Sequence, residues 1–163
     1  SFEMVAADQV SEHRRVFNVK DYIDEVLLSL RPKLKKTGHR ITVRCAPDLV
    51  IESYPGAFSQ ILTNFIVNSL VHGFDPEQAG EIRIEATRSD SVLELCYADN
   101  GKGMTPEIRD RIFEPFFTTA RSQGSTGLGL HIVFNIVTRT LGGTIACESR
   151  PGQGTSFRVT MPL

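Results

Sequence analysis

Apolar side chains recur at helical spacing in three separate stretches of this chain. The first covers residues 19–36, with Asn18 placed to cap its start and Pro32 inside it. A proline removes one backbone hydrogen bond, so we expect a kink in this helix. The second stretch covers residues 56–72 and the third covers residues 127–141. The spacing therefore predicts three helices, each with one broad apolar face.

Alternation of apolar and polar positions predicts strands between and after these helices. The predicted strands cover residues 14–19, 40–45, 49–53, 81–87, 91–99, 144–148 and 155–161. The last four form two pairs, and a short turn-forming segment joins each pair, which predicts two hairpins. Residues 100–126 contain only one short predicted helix, at 106–113, and so long an irregular stretch is typical of functional loops. Together these elements predict an α+β domain with two layers and a mostly antiparallel sheet.

Composition and charge exclude several classes of protein. The chain has 163 residues, enough for one domain with its own core, and carries 18 basic against 19 acidic side chains. A net charge of −1 provides no basic surface for nucleic acid. The longest apolar stretch, residues 61–71, is too short to span a bilayer. The three cysteines lack the spacing of metal ligands, so reduced thiols are expected.

We expect most of the chain to form one domain of a longer protein. Residues 1–13 are polar without a clear period, which indicates a tail or the end of an upstream helical linker. Residues 14–163 would form the domain, with Leu163 at its natural end and no receiver domain attached within this chain. No secretion signal opens the chain, so the domain is expected in the cytoplasm, whether or not the parent protein is anchored in a membrane.

A polar stripe accompanies the apolar face of the second predicted helix. Asn64, Asn68 and His72 recur every four residues, so they lie on one side of that helix. One interpretation is structural: nearby backbone groups bond the two amides, and His72 caps the helix end. The other is chemical, because amide oxygens suit Mg²⁺, a hard cation that keeps waters and phosphates in its shell. Neutral amides fit a metal whose charge a triphosphate already balances.

Asp99 opens a glycine-containing loop, Asp-Asn-Gly-Lys-Gly, that ends at Gly103. Strand alternation places Asp99 on the same face as Leu93, Leu95 and Tyr97, which should be the core face. A buried carboxylate needs hydrogen-bond donors, and an adenine amino group is one. The alternative is an exposed turn at the end of a strand, a common use of this composition.

A second glycine-rich block, residues 124–130, runs directly into the third predicted helix. Thr126 can cap that helix, and the amides of Gly127, Leu128 and Gly129 would then point out of its start toward an anion such as phosphate. The alternative is a glycine hinge that leads into a core helix. Other nucleotide motifs are absent from the sequence: neither glycine block matches the dinucleotide fingerprint, and no phosphate-loop or eukaryotic-type kinase motif occurs.

These blocks, in this order, resemble the ATP-binding catalytic domain of bacterial sensor histidine kinases, within the GHKL superfamily. Residues 64–72 resemble the N box, and residues 99–103 resemble the first glycine box. Residues 113–117 resemble the F box, and residues 124–129 resemble the second glycine box. Residues 152–155 resemble the closing glycine element. The resemblance implies the Bergerat fold, an α/β sandwich whose mixed, mostly antiparallel sheet carries three helices on one face, with ATP and Mg²⁺ as ligands.

The resemblance also implies roles for individual residues. Asp99 would bind the adenine amino group, with Thr155 and Gly103 near the base. Asn64 and Asn68 would be the catalytic residues and would hold Mg²⁺. The implied ATP-binding residues are Asn68, His72, Asp99, Gly101, Gly103, Phe113, Phe117, Thr118, Arg121, Gly124, Ser125, Thr126, Gly127, Leu128, Gly129 and Thr155.

On the phosphate side, His72 would face the phosphates and residues 125–129 would close over them. Phe113 and Phe117 would anchor a lid whose motion controls access to the site. The sequence departs from the family pattern at Ala120, where the F box usually continues to a lysine. Arg121 follows directly and would take over a phosphate contact.

Position 64 indicates which reaction to expect. Hydrolytic relatives such as DNA gyrase and the heat-shock chaperones carry glutamate there as a general base, and Asn64 cannot accept a proton. This favours phosphoryl transfer to a histidine over transfer to water. His13, His39 and His131 lack the His-Glu or His-Asp signature of an acceptor.

The expected acceptor therefore lies on a dimerisation and phosphoacceptor helical hairpin upstream in the same protein. A response regulator would act downstream, no nucleic acid would bind, and the isolated domain would be monomeric. Two alternatives stay open: a nucleotide-binding regulator of the same superfamily that transfers no phosphate, and a serine kinase of the anti-sigma type.

Overall fold

A computed structural model describes residues 13–119 and 127–163, and its helices occupy most of the predicted positions. They are α1 (Val19–Ser29), α2 (Arg31–Leu34), α3 (Pro55–Asn68), α4 (Pro106–Arg109) and α5 (Gly129–Asn135), with π-helical turns at Ser69–Gly73 after α3 and Ile136–Thr140 after α5. Within the described ranges, no helix is long and apolar enough to cross a membrane. The predictions for residues 1–12, Arg121, Gly124, Ser125 and Thr126 lie outside the described residues.

The strands form two sheets. They are β1 (Arg15–Asn18), β2 (Arg40–Cys45), β3 (Val50–Ser53), β4 (Glu81–Ser89), β5 (Val92–Asp99), β6 (Thr144–Ser149) and β7 (Thr155–Pro162). The larger sheet has the order β2-β4-β5-β7-β6, with β2 parallel to β4 and the other neighbours antiparallel. Strands β1 and β3 pair antiparallel in a separate sheet. The predicted α+β fold and both predicted hairpins are confirmed.

The core lies between the larger sheet and the helices α1, α3 and α5. Leu93, Leu95 and Tyr97 of β5 all face inward and are fully buried, as strand alternation predicts. The rings of Phe65 on α3 and Phe157 on β7 stack across the two layers, with centroids 4.5 Å apart. Asp99 continues the same inward-facing row at the end of β5, so the alternation that builds the core also buries this carboxylate.

Several predicted helix bounds are wrong. The short helix predicted at 106–113 ends at Arg109, and backbone geometry explains the errors at two other helices. Asn18 caps α1 as predicted, because its Oδ1 accepts the Asp21 N–H at 2.9 Å. The helix ends at Ser29, however, and Pro32 lies in the first turn of the separate helix α2, where its missing N–H has no cost. The third predicted helix corresponds to α5. It begins at Gly129 rather than at Gly127, because Gly127 has a φ of +75° and lies outside helical geometry.

His39 joins the chain before β2 to the loop before β4. Its Nδ1 accepts the Gly80 N–H at 2.8 Å, and its ring lies against Phe74 with centroids 4.2 Å apart. Burial lowers the pKa of His39 below its usual value and outweighs the opposing charge of Asp99. The folded state therefore holds this ring in its neutral form.

We expect the free energy of unfolding to fall as the pH is lowered from about 7.5 to about 5. The unfolded chain binds a proton near pH 6.5, before the folded chain does, so the stability present above that pH is lost as the pH falls through the folded-state pKa. Urea unfolding at several pH values measures this. In the matched variant His39→Asn, the amide oxygen can still accept the Gly80 N–H but does not titrate, so its pH dependence should be shallower. An equal slope in both proteins would contradict this role of His39.

Candidate functional site

Two adjoining cavities form one cleft between the C-terminal half of α3 and the loop that follows β5. Their volumes are about 280 Å³ and about 470 Å³. Both are lined by Asn68, His72, Ile112, Phe117, Thr118 and Leu130. Because six residues line both cavities, we treat them as one continuous cleft, with a smaller chamber near the end of β5 and a larger chamber near the start of α5.

Asp99 lies behind the wall of the smaller chamber and is only 7% exposed. Its Oδ1 accepts the N–H groups of Gly101 at 3.0 Å and Thr155 at 3.2 Å. Its Oδ2 accepts the Ser69 hydroxyl at 2.7 Å. Two lining residues, Gly73 and Thr155, contact this carboxylate, and three donors fix both of its oxygens. A carboxylate held in this way is a hydrogen-bond acceptor that still has unused lone pairs.

Gly73 and Gly101 let two backbone segments meet beside Asp99. A Cβ at Gly73 would lie 2.9 Å from Asp99 Oδ2, and a Cβ at Gly101 would overlap the Gly73 carbonyl oxygen. That same oxygen accepts the Lys102 N–H at 2.7 Å. Gly101 of the first glycine block must therefore be a glycine, because its backbone approaches the turn after α3 closely. Gly101 itself does not line the cleft, and its contribution is the N–H that it donates to Asp99.

The turn between β6 and β7 packs against the loop that carries Gly103. Gly103, which lines this chamber, has a φ of +70°, and a Cβ there would overlap the Arg150 carbonyl oxygen. The Ser149 hydroxyl accepts the Met104 N–H at 2.9 Å and donates to the Gly154 carbonyl at 2.8 Å. These contacts hold the turn against the glycine-containing loop after β5, and that loop lines the smaller chamber.

Asn64 and Asn68 line the cleft from α3. Asn64 faces the larger chamber, whereas Asn68 faces both chambers. The side-chain nitrogen of Asn64 is buried and has no hydrogen-bond partner within the part of the chain that the structure describes. A buried amide in this state costs stability unless a ligand satisfies it.

The donor set of the cleft decides what kind of cation it can hold. No group of three or more His, Cys, Asp or Glu side chains that could hold a metal occurs among the described residues. The amides of Asn64 and Asn68 therefore fit Mg²⁺ only when a polyphosphate supplies the charge and most of the oxygen ligands.

His72 lines both chambers from the π-helical turn after α3. Its Nδ1 lies 3.1 Å from the Thr119 hydroxyl oxygen. Burial, with a further contribution from the positive charge of Lys102, lowers the pKa of His72. The ring is therefore neutral at neutral pH, and in the tautomer in which Nδ1 accepts the Thr119 hydroxyl proton, the Nε2–H group is free to donate into the cleft.

The second glycine block reaches the larger chamber. Gly127, Leu128 and Gly129 all line this chamber. The Gly127 carbonyl accepts the Phe116 N–H at 2.9 Å, and a Cβ at Gly127 would lie 2.5 Å from the Phe116 carbonyl carbon. Close packing of two backbone segments therefore accounts for the glycine at this position.

The F-box residues divide between the cleft and the core. Phe117 and Thr118 line both chambers. Phe113 does not line the cleft: its ring packs near Phe157, with centroids 6.3 Å apart, and its carbonyl oxygen lies 3.1 Å from His131 Nδ1. Phe113 is thus positioned to hold this segment on the core.

The sequence-based reasoning missed several residues of the site. They are Val67, Ser69, Val71, Gly73, Lys102, Met104, Ile108, Ile112, Thr119, Leu130 and Ile132. Ser69 directly follows Asn68, and Lys102 lies inside the first glycine block, so proximity to a motif could have identified both. The apolar residues showed only an ordinary helical pattern, which does not distinguish a ligand cleft from a core.

Comparison with known proteins assigns this fold and cleft to a family. The family model described as histidine kinase-, DNA gyrase B-, and HSP90-like ATPase matches residues 54–163. The sensor histidine kinase AruS of Pseudomonas aeruginosa is 35% identical over 153 residues, which cover 86% of this chain and 15% of AruS. The chain thus spans less than a third of the length of the curated relatives that it matches.

Solved structures agree with this assignment. The nucleotide-free catalytic domain of histidine kinase ThkA is 28% identical, with a TM-score of 0.79, and the match covers 92% of this chain and 95% of that one. Full-length ShkA in complex with AMPPNP is 26% identical, with a TM-score of 0.79, over 99% of this chain and 33% of ShkA. ThkA has also been solved with the response regulator protein TrrA, with a TM-score of 0.73 and 24% identity, over 98% of this chain and 46% of that one. This chain belongs to the histidine kinase-, DNA gyrase B- and HSP90-like ATPase family, and it has the fold of histidine kinase catalytic domains.

Proposed function

We propose that this chain binds ATP with Mg²⁺ and, within a longer sensor kinase, transfers the γ-phosphoryl group to a histidine. The folded unit would cover residues 14–163. The acceptor histidine would lie on an upstream helical hairpin of the same protein, and a response regulator would receive the phosphoryl group next. The complex of ThkA with TrrA supports the last of these expectations for a relative.

One observation carries the choice of transfer over hydrolysis. None of the described residues that line the cleft is an aspartate or a glutamate. Hydrolytic members of the superfamily use a glutamate at this position to take a proton from water, and the amide of Asn64 cannot accept one. An imidazole needs less assistance, because its neutral form already presents a lone pair to phosphorus. The cleft therefore suits an external histidine better than it suits water.

The residues of the cleft would act mainly by positioning ATP and balancing its charge. Asp99 would accept a hydrogen bond from the adenine amino group and so fix the base in the smaller chamber. The amide oxygens of Asn64 and Asn68 would hold Mg²⁺, which neutralises phosphate charge when it is bound. His72 would donate its hydrogen bond to the phosphates. In the transfer, a bond forms between the imidazole nitrogen and the γ-phosphorus, the bond from that phosphorus to the bridging oxygen breaks, ADP leaves, and the N–H proton of the imidazole passes to solvent.

The internal histidines have other contacts in the structure. His39 accepts the Gly80 N–H, and His131 lies between the Phe113 carbonyl and the Asn135 side chain, at 3.1 Å and 3.2 Å. A histidine held in this way is not free to attack ATP in the cleft. These contacts support placing the acceptor outside the described part of this chain.

The replacement Asn68→Ala tests the metal and transfer roles together. In the full-length protein, reconstituted with Mg²⁺ and γ-labelled ATP, we expect autophosphorylation to fall by about 100-fold, because one preorganised ligand near the transferred group is lost. Asn135→Ala is the matched control, since Asn135 lies on α5 and bonds to His131 outside the cleft. Unchanged labelling of Asn68→Ala would contradict the metal role of this residue.

The chemistry of the label separates the alternatives. A phosphoryl group on histidine is lost in acid and survives in base, whereas a phosphoryl group on serine survives in acid. An acid-labile label supports the histidine kinase. An acid-stable label would favour a serine kinase of the anti-sigma type, and ATP binding without any label would favour a regulator that transfers no phosphate.

A further inference from the structure

Two buried hydroxyl groups connect Asp99 to the interior of the fold. Tyr97 and Ser69 are both fully buried, and their hydroxyl oxygens lie 2.7 Å apart. Tyr97 precedes Asp99 by two residues on β5 and therefore shares its inward face. Ser69 begins the π-helical turn after α3, in which the Phe74 N–H donates to the Ser69 carbonyl at 3.2 Å. This turn places the Ser69 side chain between the other two.

The direction of this hydrogen-bond chain follows from counting protons. Ser69 donates to Asp99 Oδ2 at 2.7 Å, and a hydroxyl group has a single proton. The bond between Ser69 and Tyr97 must therefore use the Tyr97 proton, with Ser69 as its acceptor. Burial strongly raises the pKa of Tyr97, so this phenol keeps its proton. The chain thus runs from Tyr97 through Ser69 to Asp99, with every donor directed toward the carboxylate.

The same contacts leave Asp99 Oδ2 with a free lone pair. Oδ1 is occupied by two backbone N–H groups, whereas Oδ2 has one bond, from Ser69. Gly73 lines the smaller chamber beside Oδ2 and has no side chain to cover this oxygen. A lone pair of Oδ2 is therefore available to a donor that enters the smaller chamber.

We propose that Tyr97 and Ser69 are positioning residues that hold Oδ2 of Asp99 as an acceptor toward the cleft and so select nucleotides with an amino group at position 6 of the purine. The inference rests on the proposed function, because it assumes that a purine occupies the smaller chamber. In a purine with a carbonyl at position 6, the carbonyl oxygen would face Asp99 Oδ2. Both atoms are hydrogen-bond acceptors, so no hydrogen bond forms between them. The hydroxyl pair makes this rejection stronger, because the carboxylate cannot turn to present a different face.

Selectivity among nucleotides tests this role in a way that stability alone does not. The affinities of the complete chain for ATP, inosine triphosphate and purine riboside triphosphate are measured by competition with a fluorescent ATP analogue. Purine riboside triphosphate lacks any group at position 6, so the ratio of its dissociation constant to that of ATP reports the amino-group contact. The ratio of ADP to ATP affinities is the internal control, because it reports the phosphate end of the cleft.

The variants remove one hydroxyl group at a time. Tyr97→Phe keeps the ring and its packing, and we expect it to lower the amino-group selectivity by about 3-fold. Ser69→Ala should lower it by about 10-fold. The double variant should match Ser69→Ala, because Tyr97 acts only through Ser69. The ADP to ATP ratio should stay unchanged in all three.

Each outcome decides the question. If the variants lower the melting temperature and weaken all nucleotides equally, the hydroxyl pair is purely structural and this inference is overturned. A double variant that loses much more selectivity than Ser69→Ala would also overturn this inference. If the wild-type chain binds no adenine nucleotide, the proposed function fails and this inference fails with it. Wild-type selectivity that Asp99→Asn abolishes and Ser69→Ala leaves intact would overturn this inference alone.

Discussion

Replacing Asp99 by asparagine is expected to weaken ATP binding about 100-fold, which corresponds to about 2.7 kcal/mol. The oxygen of the introduced amide would remain on the N–H groups of Gly101 and Thr155, because a side-chain nitrogen there would oppose two donors. The amide nitrogen then faces the cleft in the place of Oδ2, where it meets the donor group of adenine instead of accepting from it. A lost charge-assisted bond of this kind is worth about 1.5–3 kcal/mol. Titration with a fluorescent ATP analogue measures the change.

Two further measurements make the Asp99 result specific. Asp110→Asn is the matched control, since Asp110 is exposed beyond α4 and does not line the cleft, and it should bind ATP as the wild type does. Inosine triphosphate offers a carbonyl oxygen at position 6, so it should lose little affinity, or none, in Asp99→Asn. Equal affinity for ATP in the wild type and in Asp99→Asn would contradict the assignment of Asp99 to adenine.

The second large effect is a loss of stability on substitution in the turn between β6 and β7. Two glycines of this turn have similar backbone conformations but different surroundings, so they can be compared directly. Gly152 and Gly154 have φ values of +78° and +73°. A Cβ at Gly152 meets no atom within 4 Å, whereas a Cβ at Gly154 would overlap the Asp99 carbonyl oxygen. We expect Gly152→Ala to lower the free energy of unfolding by about 1 kcal/mol, the cost of the left-handed conformation alone. Gly154→Ala should lower it by about 3 kcal/mol, because β5 or the turn must also move.

Urea unfolding of both glycine variants isolates the steric part of the effect. The backbone conformation costs each variant nearly the same, so the difference between them reports the contact with Asp99. This difference of about 2 kcal/mol should appear as a melting temperature roughly 4–8 °C lower for Gly154→Ala than for Gly152→Ala. Gly154→Ala should also bind ATP more weakly, because the displaced strand end carries Asp99. Equal destabilisation of the two variants would show that the turn relaxes without disturbing β5.

Much of the fold could be predicted because it depends on local signals. The alternation of β5 placed Asp99 on the core face, and the structure confirms its burial. Asn18 at the start of a helical pattern predicted the cap that is observed. In both cases the structural feature depends on residues within a few positions along the chain, so residue type and spacing are enough to predict it.

Features that depend on contacts between distant segments could not be predicted. Strands β2 and β3 flank the Ala46-Pro47-Asp48 turn but do not pair, because β3 pairs with β1 and β2 lies parallel to β4. The π-helical turn at Ser69–Gly73 has no sequence pattern of its own, yet it brings Gly73 and Ser69 against Asp99. Since Ser69 and Asp99 are thirty residues apart, only the folded arrangement reveals the bond between them.

The absence of a carboxylate from the described lining of the cleft also bears on how long bound ATP would survive between transfer events under the proposed function. Under the proposed function, such a site would lose bound ATP to water only slowly, because no carboxylate in that lining can take a proton from water. The loaded state would then act as a reservoir, and the frequency with which the proposed acceptor histidine reaches the cleft would set the rate of phosphoryl transfer. Control of the pathway would accordingly lie in the geometry of that encounter rather than in the chemical step.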